Sequence, residues 1–201
     1  MIVIGIDYSL TNPCICIANS DLNTDFANTS VHYLTDTNKY TGDFGNITGT
    51  LHKTYSCQEE RHENNTMWVL DHINTNVETK VYLEGYSMGS KGKVFNIAEN
   101  AGLLKYHVWK LGIPLITVPP TTNKKFFSGK GNSDKDKMEE AFRTKTGVDL
   151  YQVFGFDRTT KVLSPYNDIV DAYALAQYGL QFELLPEGGT PHYITNQIAV
   201  K

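Results

Sequence analysis

The sequence predicts a mixed α/β fold, with one sheet and helices on both of its faces. Three observations carry this. The chain opens with two short apolar runs, residues 2–6 and 14–18, joined by a turn-like stretch, so it begins as a strand meander. Two further short runs, 81–83 and 114–118, are separated by a long segment with apolar residues at helical spacing. Helical pattern then dominates the remainder, which is the order expected of helices packed on a sheet.

The elements follow in order. Residues 2–6 read as a buried strand ending at Asp7. Cys14 and Cys16 alternate with Ile15 and Ile17, as on a returning strand. Residues 30–34 make a third strand at the edge of the meander. Residues 35–54, rich in Thr, Asn, Asp and Gly, read as a loop or insertion. From 55 to 76 the chain is polar, but Met67, Trp68, Leu70, His72 and Ile73 suggest a helix with an apolar face late in its length. Residues 81–83 form a strand ending at Glu84. Ile97, Ala98, Ala101, Leu104, Val108 and Leu111 mark a helix over 95–111, stopped by Gly112. The strand at 114–118 is ended by Pro119 and Pro120. A basic, glycine-containing loop is predicted over 121–132. Ser133 then serves as N-cap, with Asp134 and Asp136 in the first turn of a helix through Lys145. Residues 147–165 look irregular and inserted. A last helix covers 166–182. No repeat or linker divides the chain, so residues 1–185 are expected to be one domain and 186–201 a tail.

Bulk properties narrow the class. With 201 residues, 40% hydrophobic and 20% charged, the composition is that of a globular domain with a substantial core. No apolar run approaches the roughly 18 residues a membrane span needs, so no membrane partner is expected. Residues 1–6 lack a basic lead-in and a cleavage site, and they read as a strand rather than a signal peptide. Three cysteines without a secretory signal fit a reducing cytosol, hence a cytoplasmic location. His52, Cys57 and His62 match no standard zinc spacing, and solvated helix residues are the better reading. The net charge of −4 argues weakly against nucleic acid, but its distribution reverses that. Residues 1–84 hold 4 Lys/Arg against 11 Asp/Glu, residues 85–147 hold 11 against 5, and residues 148–201 hold 3 against 6. A basic middle between acidic ends suits a polyanion, though a solvated helical surface would look the same.

The chemical signal is where the acids sit. Asp7 and Glu84 each close an apolar strand, and Asp168 and Asp171 share one helix face. Such acids are costly unless something cationic meets them. Hard oxygen ligands suit Mg²⁺ or Mn²⁺. Four carboxylates fit two ions roughly 3.5–4 Å apart. Singly, each acid has a plain alternative: Asp7 as a turn cap, Glu84 as a lysine's partner, Asp168 as a complement to a helix dipole. Asp171 is harder to dismiss, because the run from Ala172 to Ala176 after it is apolar.

At this point the residues resemble a known family. Ile4-Gly5-Ile6-Asp7-Tyr8-Ser9, Tyr82-Leu83-Glu84 and the stretch from Asn167 to Ala176 are similar to the three acidic motifs of RuvC-type Holliday-junction resolvases. Lys124-Lys125, Gly129-Lys130-Gly131 and Lys135 resemble that family's basic loop leading into a helix. Residues 96–104 resemble the helix after its glutamate. Short acidic motifs occur by chance, but four in order along nearly the whole chain are specific.

The resemblance implies an RNase H-like fold, a central mixed five-stranded sheet flanked by helices. It implies a structure-selective endodeoxyribonuclease cutting four-way and possibly other branched DNA. Asp7, Glu84, Asp168 and Asp171 would hold two Mg²⁺, with Mn²⁺ able to substitute. Lys135 would join them in catalysis. Lys91, Lys93, Lys124, Lys125, Lys130 and Lys135 would bind DNA, and Tyr86 or Met88 lies where the family places a wedge at the junction. Bacterial members are homodimers, and the helix over 95–111 is where that interface would form. The segments 35–65 and 147–165 depart from bacterial members, as in a phage or other viral version acting in the cytosol of an infected host. Other readings stay open. An RNase H acting on RNA–DNA hybrids would place the glutamate on a helix. An actin-like ATPase would need a second nucleotide-binding half. A non-catalytic binder of branched DNA would gain nothing from four acids.

Overall fold

The computed structural model describes residues 1–22, 24–86, 94–158 and 163–183. The meander forms as expected: β1 (Ile2–Asp7), β2 (Cys14–Asn19) and β3 (Ser30–Thr35) pair antiparallel in turn. The segment expected as a loop instead adds two strands, β4 (Gly42–Phe44) and β5 (Ile47–Leu51). Gly45, at φ 71, makes the turn between them in a conformation that favours glycine. Ile47 is completely buried and anchors β5 parallel to β3.

The helix α1 (Gln58–Asp71) leads to β6 (Thr79–Glu84), which pairs parallel with β1. The helix α2 (Val94–Lys110) leads to β7 (Leu115–Val118), parallel to β6. The described sheet is therefore seven-stranded, in the order β4-β5-β3-β2-β1-β6-β7. The expectation of five strands fell short by the inserted pair. Its composition hides it: the two short strands carry Gly42, Asp43, Thr48, Gly49 and Thr50, residues that also fill loops.

The expected basic loop over 121–132 is largely a helix, α3 (Pro120–Ser128). Pro120 acts as a helix starter at the first turn rather than as a breaker, and Gly129, at φ 84, caps the far end. Next come α4 (Lys135–Thr146), α5 (Leu150–Phe154) and α6 (Tyr166–Glu183). The N-cap of α4 is Asp134, not Ser133: its carboxylate accepts from the Lys137 N–H at 3.0 Å. Ser133 is buried and pairs with Ser128 at 2.8 Å.

Two apolar layers cover the sheet. On one face α1 and α2 pack over Ile4, Ile6, Ile15, Val81 and Leu83. On the other α6, α3, α4 and α5 cover Val3, Cys14, Cys16, Val31 and Tyr82. The alternation of strand residues decides the face, so Cys14 and Cys16 go to the α6 side and Ile15 to the α1 side. Phe154 of α5 packs its ring on Phe44 at 4.5 Å and near Tyr40 at 5.9 Å. The two segments that read as separate insertions thus meet in one added layer. Arg158 ties this layer down through a two-pronged pair with Glu139 and a bond to Asp149 at 2.9 Å. Among the described residues no helix is long and apolar enough to cross a membrane. The expected tail falls outside the described residues.

Candidate active site

Asp7 and Glu84 end neighbouring parallel strands. Ile6 pairs with Leu83, so the two acids follow side by side at the carboxyl edge of the sheet. Strand alternation points both toward α6, the side of Val3 and Tyr82. The helix lies on β1 in direct backbone contact. A Cβ at Gly5 would stand 2.3 Å from the Ala172 carbonyl and 2.3 Å from the Ala176 nitrogen. From the other side, a Cβ at Gly179 would meet Tyr82 and Val3 at 2.5 and 2.6 Å. Glycine and alanine let the elements approach so closely that the first turns of α6 overhang the strand ends. Asp168 and Asp171, one turn apart, are thereby brought to Asp7 and Glu84.

The four carboxyls perturb one another. Burial raises Asp7 well above the usual carboxylate range, and the neighbouring charges of Glu84, Asp168 and Asp171 add to it. Burial and then Asp171 push Glu84 up to about 8. Burial raises Asp168 to about 7, against a hydrogen bond from Ser164 and the charge of Lys135. Asp171 rises to about 6, again chiefly through burial, with Lys124 and Lys135 opposing. Two cations therefore face the cluster: Lys124 from α3 beside Glu84 and Asp171, and Lys135 from the start of α4 beside Asp7, Asp168 and Asp171. Asn123 of α3 braces the helix by donating to the Asp171 carbonyl at 3.3 Å. Asp168 Oδ2 and Asp171 Oδ1 are buried without a hydrogen-bond partner among the described residues. That is an expensive state unless a cation is meant to meet them.

Among the described residues no three His, Cys, Asp or Glu side chains converge closely enough to cage a cation by themselves. Mg²⁺ does not need such a cage, since it keeps several waters and takes only one or two carboxylates directly. The chemistry of the cluster, hard oxygens with unpartnered atoms, fits a hydrated hard cation. His52, Cys57 and His62 form no such site either: His52 bonds to the Thr11 carbonyl at 2.7 Å, Cys57 is exposed and His62 is buried.

The other expected residues divide. Lys125 and Lys130 are exposed at the α3 end of the cluster's cationic side, on a helix and its following turn rather than a loop. Tyr86 stands two residues past Glu84, 38% exposed, with the Lys105 ammonium 4.9 Å from its ring centroid. Lys91, Lys93 and Met88 lie outside the described residues. The sequence reading missed Lys105, Asn123 and Ser164. For Lys105 no signal existed, since only the fold sets α2 beside the end of β6.

No protein-family model matches the chain, and no curated protein does. Solved structures do. The chain is similar to Thermus thermophilus RuvC, with a TM-score of 0.56 at 16% identity, over 91% of this chain and 96% of that one. It is similar, with a TM-score of 0.55 at 15% identity, to T. thermophilus RuvC in complex with a Holliday junction substrate, over 90% of this chain and 96% of that one. The fowlpox virus resolvase with its junction DNA also matches, at a TM-score of 0.48 and 15% identity, over 92% of this chain and 100% of that one. The first two likenesses establish the fold: the chain folds as RuvC does, in the RNase H-like manner.

Proposed function

We propose that this chain is a divalent-metal-dependent endonuclease that resolves four-way DNA junctions. The observation that supports it best is the meeting of four buried acids, from two strand ends and one helix, with Lys124 and Lys135 beside them, on a fold shared with RuvC. Glu84 ends a strand, which favours this reading over an RNase H, where the glutamate belongs on a helix. The junction as substrate follows from the structural likeness, since the related RuvC was solved with one.

Asp7, Glu84, Asp168 and Asp171 would hold hydrated Mg²⁺, or Mn²⁺ in its place, two ions in all. When bound, the metal supplies charge stabilisation at a phosphodiester and acidifies water. The chain's own residues do the rest. Lys124 and Lys135 hold positive charge at the rim of the acid cluster, where the oxygens of the scissile phosphate gather negative charge. Water adds to phosphorus and the bond to the 3′ oxygen breaks, leaving a 5′-phosphate and a 3′-hydroxyl. Lys125 and Lys130 track the backbone. Tyr86, backed by Lys105, offers a ring on which an unpaired base stacks.

The chain works as a homodimer. On α2, Phe95, Glu99, Gly102, Tyr106 and Trp109 are exposed at alternating spacings of four and three, a heptad seam. A side chain at Gly102 would meet nothing within 4 Å. Antiparallel pairing of two copies about Gly102 sets Phe95 against Trp109.

The test is cleavage of a synthetic four-way junction beside a linear duplex, a flap and an RNA–DNA hybrid, each with Mg²⁺, Mn²⁺ or chelator. Paired, metal-dependent nicks in the junction are expected. Preference for the hybrid would move the protein to RNase H chemistry, and junction binding without any cutting would make it a binding module.

A further inference from the structure

The segment between β1 and β2 has no regular structure, yet side chains from several elements hold it. Tyr8 is buried, with its hydroxyl 3.0 Å from Thr66 Oγ1 on α1. The adjacent Asn65 donates through Nδ2 to the Leu10 carbonyl at 3.4 Å. His52, just past β5, donates through Nε2 to the Thr11 carbonyl at 2.7 Å. Asn12 donates through Nδ2 to the Leu34 carbonyl at 3.2 Å, and its N–H donates to Ser9 Oγ at 2.9 Å. Every residue from Tyr8 to Asn12 is thus bonded, four of them to groups outside the segment.

Packing alone does not account for these residues. Asn65 and Thr66 are 0% and 1% exposed on the face of α1 that also buries Val69. Asn65 Oδ1 has no hydrogen-bond partner among the described residues. An apolar side chain there would escape the cost of desolvating an amide. What the polar pair does achieve is directional: two consecutive residues of a rigid helix grip alternate residues of the segment that continues from Asp7. The inserted strands supply the third grip, since β5 delivers His52.

We propose that Asn65, Thr66 and His52 are positioning residues for Asp7. They hold residues 8–12 and so set the carboxylate at the end of β1 relative to Glu84 and α6. The inference rests on the reading of Asp7 as a metal-holding acid. Under it the insertion braces the site from the sheet's far side.

Three disrupting variants, Thr66→Val, Tyr8→Phe and the two combined, and one rescue variant, Thr66→Ser, test it. The double variant removes both partners of one buried bond, so it should fold and melt as wild type does. Each single variant, and the double, should lower kcat for junction cleavage about ten-fold or more with KM unchanged, as small misplacements of reacting groups do. The double should be no worse than the poorer single, and Thr66→Ser should restore the rate. Amide hydrogen exchange over residues 8–12 should quicken by about ten-fold in the variants. Calorimetric titration with Mn²⁺ alone should show weaker binding. Unchanged exchange, or quickened exchange with unchanged kcat and Mn²⁺ affinity, would overturn the proposal. If wild type cuts no DNA with either metal, the nuclease reading falls, while exchange and Mn²⁺ titration still decide the clamp.

Discussion

Asp7 is surrounded by three other carboxyls at a strand end where burial already disfavours its charge. Its fold position is therefore one the protein holds at a cost, and the same holds for Asp171 in the apolar stretch of α6. Replacing either by asparagine keeps the shape and removes one of the repelling charges. Asp7→Asn and Asp171→Asn should abolish junction cleavage while junction binding persists. In chelator at pH 8 each should also melt higher, by roughly 2–4 °C for about 1 kcal/mol of relieved repulsion in a domain this size. Cleavage at wild-type rate, or melting that falls in chelator, would show that the acids serve packing instead. Both outcomes together would mean that function and stability oppose each other at this site, as is common where charges are gathered for chemistry.

At the scale of elements, the contact of α6 with β1 decides whether the acids meet. Gly5 leaves no room for even a methyl group, because backbone atoms of Ala172 and Ala176 would lie 2.3 Å from it. Gly5→Ala should cost about 3 kcal/mol, the upper range for overpacking. It should lower cleavage as well, by lifting Asp168 and Asp171 off the strand ends. Melting and cleavage unchanged from wild type would mean that α6 yields freely.

A second element contact, between β3 and the end of α1, carries a pH dependence. The rings of His32 and His72 stand 4.3 Å apart. Burial, then the neighbouring His72, lowers His32 from 6.5 to about 4, with Asp43 opposing and Ser30 hydrogen-bonded to its Nε2. The unfolded chain therefore takes up a proton there between about pH 6.5 and 4 that the fold resists, so stability is lost as the pH falls through that window. The raised carboxyls of the acid cluster act in the opposite sense over the same range, so the His32 share is read as a difference: in urea unfolding at pH 7, 6 and 5, His32→Gln should gain stability relative to wild type as the pH falls. An equal slope in the variant would place the acid sensitivity elsewhere.

For the molecule as a whole, the exposed seam on α2 and the cationic bank of α3 and α4 lie on opposite sides of the sheet. A dimer formed through α2 would leave both acid clusters free for DNA. Trp109→Glu should convert a dimer to a monomer in analytical ultracentrifugation and turn paired nicks into single ones, with the melting temperature of the monomer little changed. A wild-type chain that sediments as a monomer would remove this interface.

Much of this architecture is legible in the sequence. The core strands and the helices α2, α4 and α6 declare themselves by period, because a residue's face is set by local geometry alone. Asp7, Glu84, Asp168 and Asp171 stand out because an acid abutting an apolar run contradicts the pattern around it. The inserted strands are not legible, since their Thr- and Gly-rich sequence is also that of a loop and only the pairing of β5 with β3, and of β4 with β5, makes them strands. Nor is α3, where Pro119, Pro120 and Gly129 read as breakers although they start and end a helix.

The sequence by itself determined the class of fold, the order of the core strands and of α2, α4 and α6, and which acids abut apolar runs, because these depend on neighbours along the chain. Tertiary structure alone decided that the sheet has two further strands, that Lys124 and Lys135 face the acids from different helices, that Lys105 backs Tyr86, and that Asn65, Thr66 and His52 hold the segment after Asp7. Those facts are set by packing between residues far apart in sequence, where no local period carries a trace of the partner.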